Sequence, residues 1–149
     1  MYEIRPVTVQ DGQAAAHHLF AEHWDEIALN KRVMVLKPDI ERYLTLEAAG
    51  MLFALAAYHD DELVGYSVNF LINHMHYADL RVAQNDLLFV AKSHRKSRMG
   101  LQLIRTTEQH ARDRGAQLML WHAKAGTTLD ALLPRLGYGI QDVIHSKEL

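Results

Sequence analysis

The stretch over residues 86–104 constrains the fold of this chain more than any other part of the sequence. It reads DLLFVAKSHRKSRMGLQLI, so a short apolar segment runs into a basic turn and then into a segment whose apolar residues have helical spacing. This order predicts a strand, a tight turn and an amphipathic helix. Because few residues join the strand to the helix, the N-terminus of the helix has to lie close to the end of the strand.

The basic turn at residues 94–98 predicts a binding site for an anion. Its sequence, HRKSR, is the densest run of positive charge in the chain. A helix N-terminus presents unpaired backbone N–H groups, which together with guanidinium and ammonium groups suit a phosphate. The net charge of −2 gives no general attraction to nucleic acid or membranes, so such a site would be local. The alternative is a solvated surface loop.

The length and composition are those of one globular domain over residues 1–149. The absence of cysteine excludes disulfides, thiolate zinc sites and a cysteine nucleophile. The N-terminus lacks the features of a signal peptide, and the longest apolar run, residues 51–58, is too short to cross a bilayer. We therefore expect a cytoplasmic protein that has no membrane partner.

The remaining patterns predict an α+β fold with a mixed central sheet. A loop rich in histidine interrupts them at residues 73–80. If the last strand pattern forms one or two strands, the sheet has six to seven strands, flanked by four helices. The strand patterns lie at 2–9, 51–58, 63–71, 84–90, 117–121 and 138–149, and the helical patterns at 13–24, 38–49, 99–114 and 129–136.

Four segments resemble the GCN5-related N-acetyltransferase (GNAT) superfamily. The turn RKSRMG at residues 95–100 resembles the family signature Arg/Gln-x-x-Gly-x-Gly/Ala, with Arg98 in place of the middle glycine. The segments IRP at 4–6, DELVGY at 61–66 and RLGY at 135–138 resemble the family's first strand, its turn between the second and third strands, and the segment before its last strands.

The resemblance implies a GNAT fold and the transfer of an acetyl group from acetyl-CoA to a primary amine. In that family the turn binds the pyrophosphate of acetyl-CoA through backbone N–H groups, and the preceding strand pairs with the pantetheine arm. The segments at 96–101 and 145–149 also resemble bacteriophage-encoded members of the family. The implied cofactor-binding residues are Phe89, Val90, Arg95, Lys96, Ser97, Arg98, Met99, Gly100 and Leu101.

Asp86 is the candidate general base, because family members often place a carboxylate on this strand. Such a base removes a proton from the attacking amine. The alternative is that Asp86 caps the strand or forms a local salt bridge. The tyrosine that is the usual acid of the family is replaced by Leu133, so Tyr138 and His145 are the substitute candidates, with packing as the alternative role of each. A thiol with a pKa of about 8.5 also leaves tolerably without an acid.

His74, His76 and Tyr77 are the candidate substrate-binding residues, since in the family the loop after the third strand helps to set the acceptor. The spacing His74-x-His76 also fits a metal site, but such a site needs further ligands, so we predict no metal. The acceptor is a small-molecule or protein amine that the sequence does not identify. Acidic residues in the acceptor segments, Asp25 and Glu26 among them, hint at a cationic one.

A second interpretation is a GNAT-fold binding or interaction protein without turnover, for example a phage factor that acts on a host protein. Arg98 and Leu133, which depart from the family pattern, favour it. Nucleic-acid binding is disfavoured by the negative net charge and by the lack of aromatic residues in the basic turn. Many family members dimerise through their last strands, so a homodimer is expected.

Overall fold

In the computed structural model, which describes residues 1–149, five strands form one mixed sheet. They lie side by side in chain order, with β1 to β4 antiparallel and β5 parallel to β4. A parallel neighbour requires a crossover connection, which the turn and helix after β4 supply. The strands are β1 (Tyr2–Val7), β2 (Leu52–His59), β3 (Glu62–Asn73), β4 (Arg81–Val90) and β5 (Leu118–Leu120).

The helices group into four helical segments, because a 3₁₀ turn at His17–Leu19 joins α1 to α2 without a gap. A second 3₁₀ turn, Lys92–His94, follows β4, and a third, Leu133–Leu136, extends α5. These elements confirm the predicted α+β class, the mixed sheet and the four helices. The helices are α1 (Val9–Ala16), α2 (Phe20–Ile27), α3 (Ile40–Ala48), α4 (Met99–Asp113) and α5 (Thr128–Leu132).

The prediction of six to seven strands was wrong, because residues 138–149 form no strand. Gly137 ends the preceding turn with a φ of +90°, and beyond it Ile140 and Val143 are exposed. A strand needs a sheet edge for its backbone groups, and β5 offers an edge of only three residues. The predicted homodimer depended on these last strands and stays a prediction.

Local sequence signals set three helix starts and one tight turn. Thr8, Asp39 and Thr127 each precede a helix, and each side chain accepts a hydrogen bond from the backbone N–H three residues further on. Asp60 and Asp61 connect β2 to β3 with φ values of +47° and +70°, a left-handed conformation that aspartate tolerates. These residues explain where the three helices and the turn between β2 and β3 begin. The cap at Thr8 starts α1 at Val9, so the predicted strand at 2–9 is two residues too long and the helix predicted from residue 13 begins four residues earlier.

The sheet is the middle layer of the fold and buries an apolar cluster on each face. Tyr66 and Phe89 pack with Leu19 on the face that α1 and α2 cover. On the opposite face Leu55 packs with Leu103 of α4. The two faces carry separate clusters because successive side chains of a strand point to opposite sides.

A bulge at Asp86 divides β4 into two parts. Val68 lies opposite Leu87 and Asn69 lies opposite Asn85, so Asp86 has no partner on β3. On its other side, β4 pairs with β5 only over residues 82–84. The rest of β4, residues 85–90, has no strand partner on this side and therefore a free edge, and we call the space beside it the gap.

A buried polar network supports this bulge from the α4 side. The hydroxyl oxygens of Thr107 and Ser67 lie 3.0 Å apart, and the Asn69 amide donates to Ser67 Oγ at 2.9 Å. Asn85 Nδ2 donates to Asn69 Oδ1 at 2.9 Å and, across the bulged residue, to the backbone carbonyl of Leu87 at 3.0 Å. The network thus ties α4, β3 and the bulged strand together.

None of the helices combines the length and the apolar character that a membrane span requires.

The network predicts a large loss of stability when Asn85 is shortened. Asn85→Ala removes the donor to Asn69 Oδ1 and to the Leu87 carbonyl, so we expect the free energy of unfolding to fall by about 2–3 kcal/mol. Urea unfolding measures this change, with Asn73→Ala at the exposed end of β3 as the control. Equal midpoints for the two variants would contradict a supporting role for the network.

Candidate active site

The turn after β4 leads directly into the N-terminus of α4, as the sequence predicts. The backbone N–H groups of Lys96, Arg98, Gly100 and Leu101 donate to no acceptor within the chain. A methyl group added at Gly100 would contact nothing within 4 Å, so the first turn of α4 is open to close approach. This arrangement of N–H groups can bind an anion.

Arg98, which replaces the middle glycine of the family signature, does not strain the turn. Its φ of −77° and ψ of 5° are accessible to any residue. The side chains of Arg98 and Lys96 are exposed, and neither takes part in an ion pair. Both cations are therefore free to reach an anion at the turn.

Arg95, by contrast, is used within the protein. Its Nε donates to the carbonyl of Val90 at 2.7 Å, and its Nη2 donates to Glu26 Oε2 on α2 at 2.7 Å. Lys92 Nζ lies 3.7 Å from the other oxygen of Glu26. Although burial opposes it, the hydrogen bond and charge of Arg95, with the charge of Lys92, lower the pKa of Glu26. Arg95 thus joins α2 to the turn.

Ser97 and Met99 shape the turn from inside. The Ser97 hydroxyl donates to the carbonyl of His94 at 2.6 Å and accepts from the N–H of Met99 at 3.2 Å. The Met99 side chain is completely buried and anchors the first turn of α4 in the core, while Leu101 is half-buried.

Phe89 and Val90 present their backbone groups in opposite directions. The N–H of Ala91 donates to the carbonyl of Val64 on β3 at 2.8 Å. Backbone groups alternate in direction along an antiparallel strand, so the N–H and C=O of Phe89 also face β3, at Tyr66, whereas those of Val90 face the free edge. Of the two residues, Val90 offers its N–H to a ligand in the gap, since its carbonyl already accepts from Arg95.

Asp86, the bulged residue, is half-buried and accepts a 2.5 Å hydrogen bond from the hydroxyl of Tyr43 on α3. Burial and this hydrogen bond raise the pKa of Tyr43, which therefore stays a neutral donor. None of the ion pairs in the structure involves Asp86. The carboxylate is positioned by a tyrosine rather than neutralised by a cation.

A cavity of about 370 Å³ lies between the sheet and the first three helices. Tyr43 and Leu87, the residue next to Asp86, are part of its wall, and 19 of its 26 lining residues are hydrophobic. This volume lies in the range of small-molecule binding sites. The structure therefore places the candidate base directly behind the wall of a ligand-sized cavity.

His23 and Tyr66 form a polar pair in the wall of the same cavity. His23 Nδ1 and the Tyr66 hydroxyl lie 2.6 Å apart and share a hydrogen bond, and the His23 ring stacks on Phe89. Burial lowers the pKa of His23 to about 4, while the charge of Glu26 opposes and that of Arg95 favours this shift. His23 is therefore neutral at neutral pH.

The three predicted substrate residues lie outside this cavity. His74, His76 and Tyr77 form a cluster of rings in the loop between β3 and β4, where Tyr77 is 64% exposed. The loop precedes β4, whose first residue lies about 17 Å from Asp86 along the strand. No group of three or more side chains that could bind a metal ion is present.

The two substitute acids also lie outside the cavity wall. The hydroxyl of Tyr138 donates to Glu108 on α4, and burial together with this hydrogen bond raises the pKa of Tyr138. His145 is exposed in the C-terminal segment, and Leu133 is buried. Neither candidate acid forms a hydrogen bond or ion pair with Asp86.

The sequence matches the model of the acetyltransferase (GNAT) family over residues 19–138. The chain belongs to the GNAT acetyltransferase family. The matched region contains the bulged strand, the basic turn and α4, so these features are parts of a GNAT domain. A comparison of the sequence with curated proteins finds no match.

Solved structures with the same fold include several acetyltransferases. A GCN5-related N-acetyltransferase from Ralstonia eutropha is 19% identical, with a TM-score of 0.79 and coverage of 99% of each chain. An aminoglycoside acetyltransferase from a soil metagenome is 18% identical, with a TM-score of 0.75 over 100% of this chain and 97% of the other. A ribosomal-protein-alanine N-acetyltransferase from Brucella melitensis is 18% identical, with a TM-score of 0.71 over 100% and 99%. At these identities the likeness establishes the GNAT fold.

Sequence reasoning missed Tyr43, His23 and Tyr66 as cavity residues. Nothing in the sequence links α3 to the bulge of β4, which lies 43 residues away along the chain. The helical spacing of Ile40, Tyr43 and Glu47, all half-buried, could have placed Tyr43 on the inner face of α3. It could not have identified Asp86 as the partner.

The low pKa of His23 predicts a loss of stability in acid. An unfolded histidine has a pKa of about 6.5, so between about pH 6.5 and about pH 4 the unfolded chain binds a proton that folded His23 does not. Stability therefore falls as the pH drops through this window, by on the order of 2–3 kcal/mol at pH 4.5.

In His23→Gln this part of the pH dependence should be absent, whereas in His122→Gln, an exposed position, it should remain. Urea unfolding at pH 7.5 and pH 4.5 measures the difference. The same loss in His23→Gln as in the original chain would show that another group causes it.

Proposed function

We propose that this protein is an acetyl-CoA-dependent N-acetyltransferase that acts on a primary amine, with residues 1–149 as one catalytic domain. One observation carries the proposal: β4 has a free edge that leads to the open N-terminus of α4, and beside its bulged residue Asp86, Leu87 lines a ligand-sized cavity between the sheet and the first three helices. A donor and an acceptor can therefore meet at the bulge from opposite sides.

The names of the structural neighbours support acetylation of an amine as the reaction. They include an aminoglycoside acetyltransferase, a ribosomal-protein-alanine N-acetyltransferase and a glucosamine-6-phosphate N-acetyltransferase, the last from Arabidopsis thaliana. The acceptors in these names differ widely, so the names favour amine acetylation without favouring one acceptor. The bacteriophage origin and the cytoplasmic location stay predictions.

The turn and the free edge supply the contacts that acetyl-CoA requires. The four free N–H groups of the turn suit the pyrophosphate, and the ammonium of Lys96 and the guanidinium of Arg98 add charge-assisted bonds. The N–H of Val90 can pair with an extended pantetheine arm, as an added strand would. We assign Arg95 the role of holding the turn to α2 through Glu26.

The chemistry requires a neutral amine and an acceptor for its proton. We propose that the Asp86 carboxylate takes one proton from the ammonium, either directly or through a water, so that the amine is neutral before it attacks. The nitrogen then attacks the thioester carbonyl, the C–N bond forms, the C–S bond breaks, and the second proton of the nitrogen passes to the leaving thiolate or to solvent. Tyr43 holds the carboxylate in place by its hydrogen bond.

The leaving thiolate completes the reaction by taking up a proton. Because a thiol has a pKa of about 8.5, its thiolate leaves tolerably without an acid, so buried Leu133 is compatible with turnover. Tyr138 and His145 stay candidates for this proton donor. The products are the N-acetylated amine and CoA.

We expect acetyl-CoA to bind with micromolar affinity that weakens as the salt concentration rises. Lys96→Ala combined with Arg98→Ala should weaken binding about tenfold or more at low salt and reduce the salt dependence, because two phosphate-directed charges are lost. Calorimetric titration measures this, with Lys147→Ala combined with Arg135→Ala as a control of equal charge. Unchanged affinity in the Lys96 and Arg98 variant would refute the assignment of these side chains to the phosphates.

Asp86→Asn keeps the shape and the hydrogen bond from Tyr43 but removes the base. We expect the turnover rate to fall by about 10²-fold or more, chiefly below the pH at which the acceptor amine deprotonates, while the affinity for acetyl-CoA stays the same. The measurement is the pH–rate profile of CoA release, with Asp142→Asn as the control. An unchanged profile would remove Asp86 as the base, and binding without any turnover would favour the interaction protein instead.

A further inference from the structure

The charge of the cavity wall limits the kind of amine that it can hold. No Asp or Glu is among the 26 lining residues, whereas Lys37 and Lys124 are. Both lysines are exposed, so they lie at the mouth of the cavity, and neither takes part in an ion pair. A ligand with several positive charges would meet two ammonium groups and no carboxylate in this wall.

The acidic residues of the neighbouring helices do not change this balance. Glu26 is paired with Arg95 and Lys92, and Asp25 lies 3.8 Å from Lys31. Asp86, the carboxylate behind the wall, accepts its hydrogen bond from Tyr43. Two further carboxylates beside the wall are also engaged, since Asp39 accepts from the N–H of Arg42 and Glu47 accepts from the N–H of Val9. Asp86 is therefore the carboxylate to which we assign the ammonium of the acceptor.

The outer wall adds an apolar surface that solvent still reaches. Met34, Val35 and Leu36 line the cavity from the segment between α2 and α3, and they are 41%, 73% and 44% exposed. Covering apolar surface of this kind is favourable, so an apolar ligand body would bind here more tightly than a polar one. The Trp24 indole, which donates to the carbonyl of Met34 at 2.5 Å, holds this segment against α2.

We propose that the acceptor is a primary amine with an apolar body and a carboxylate, which is the chemistry of a free hydrophobic amino acid. Its amine lies towards Tyr43 and Asp86, its apolar side chain contacts the outer wall, and its carboxylate pairs with Lys37 or Lys124. This assignment rests on the proposed function, since it identifies the occupant of the acceptor cavity.

The first test compares three amines at a saturating concentration of acetyl-CoA. Phenylalanine and 2-phenylethylamine share the same apolar body, but only phenylalanine has a carboxylate. Spermidine carries several positive charges and has no apolar ring. We expect kcat/KM for CoA release to be about tenfold higher with phenylalanine than with 2-phenylethylamine, and lowest with spermidine. Equal or faster turnover of spermidine would overturn the proposal.

Variants at exposed positions test each part without threatening the fold. Lys37→Gln combined with Lys124→Gln should lower kcat/KM for phenylalanine about tenfold and leave that for 2-phenylethylamine unchanged, whereas Lys147→Gln should change neither. Leu36→Gln should weaken both aromatic amines, with Val143→Gln as its control. An equal fall for both amines in the double lysine variant would show that the lysines do not recognise the carboxylate.

A binding measurement distinguishes failure of this proposal from failure of the proposed function. Calorimetric titration with each amine, in the presence of CoA, measures occupancy of the cavity without requiring turnover. If acetyl-CoA binds and no amine is acetylated, the proposed function fails, but binding of phenylalanine that depends on the two lysines still supports the ligand class. If phenylalanine does not bind, the ligand class is wrong, even when another amine is acetylated.

Discussion

The register shift at Asp86 is the constraint on which the rest of the site depends. One extra residue in β4 leaves Asp86 unpaired and coincides with the point where β4 and β5 separate. The buried amides and hydroxyls beneath it give the bulge a second set of hydrogen bonds, so it is a fixed feature rather than a local defect. Without the bulge, the carboxylate would belong to a regular strand and would have a partner on β3.

Helix α2 connects the two halves of the site. Its Glu26 binds Arg95 of the basic turn, while His23, one turn earlier on the same helix, contributes to the wall of the cavity. The turn and the cavity wall therefore share one rigid element. This connection is also the reason that we assign the first basic residue of the signature to holding the turn: its guanidinium is bound by a carboxylate and a backbone carbonyl.

The elements that follow from local chemistry were predictable, and those that need a distant partner were not. The hairpin turn at Asp60, the start of α3 at Asp39 and the buried stripe of α4 were predicted because the interactions that form them lie within a few residues. The predicted strand at 138–149 has a suitable composition but pairs with no strand of the sheet, which no local pattern reveals. The same limit applies to His74 and His76, whose loop lies at the other end of β4.

The sequence by itself determined the α+β class, the order of the elements as far as α5 and the position of the basic turn at the start of α4, because periodicity, capping and turn residues act over short distances. Only the tertiary structure decided which residues form the site. It placed Tyr43 against Asp86, bound Arg95 to Glu26 and gathered an apolar wall that contains two lysines and no carboxylate. These contacts join residues that are tens of positions apart, and the packing of helices on a bulged sheet brings them together.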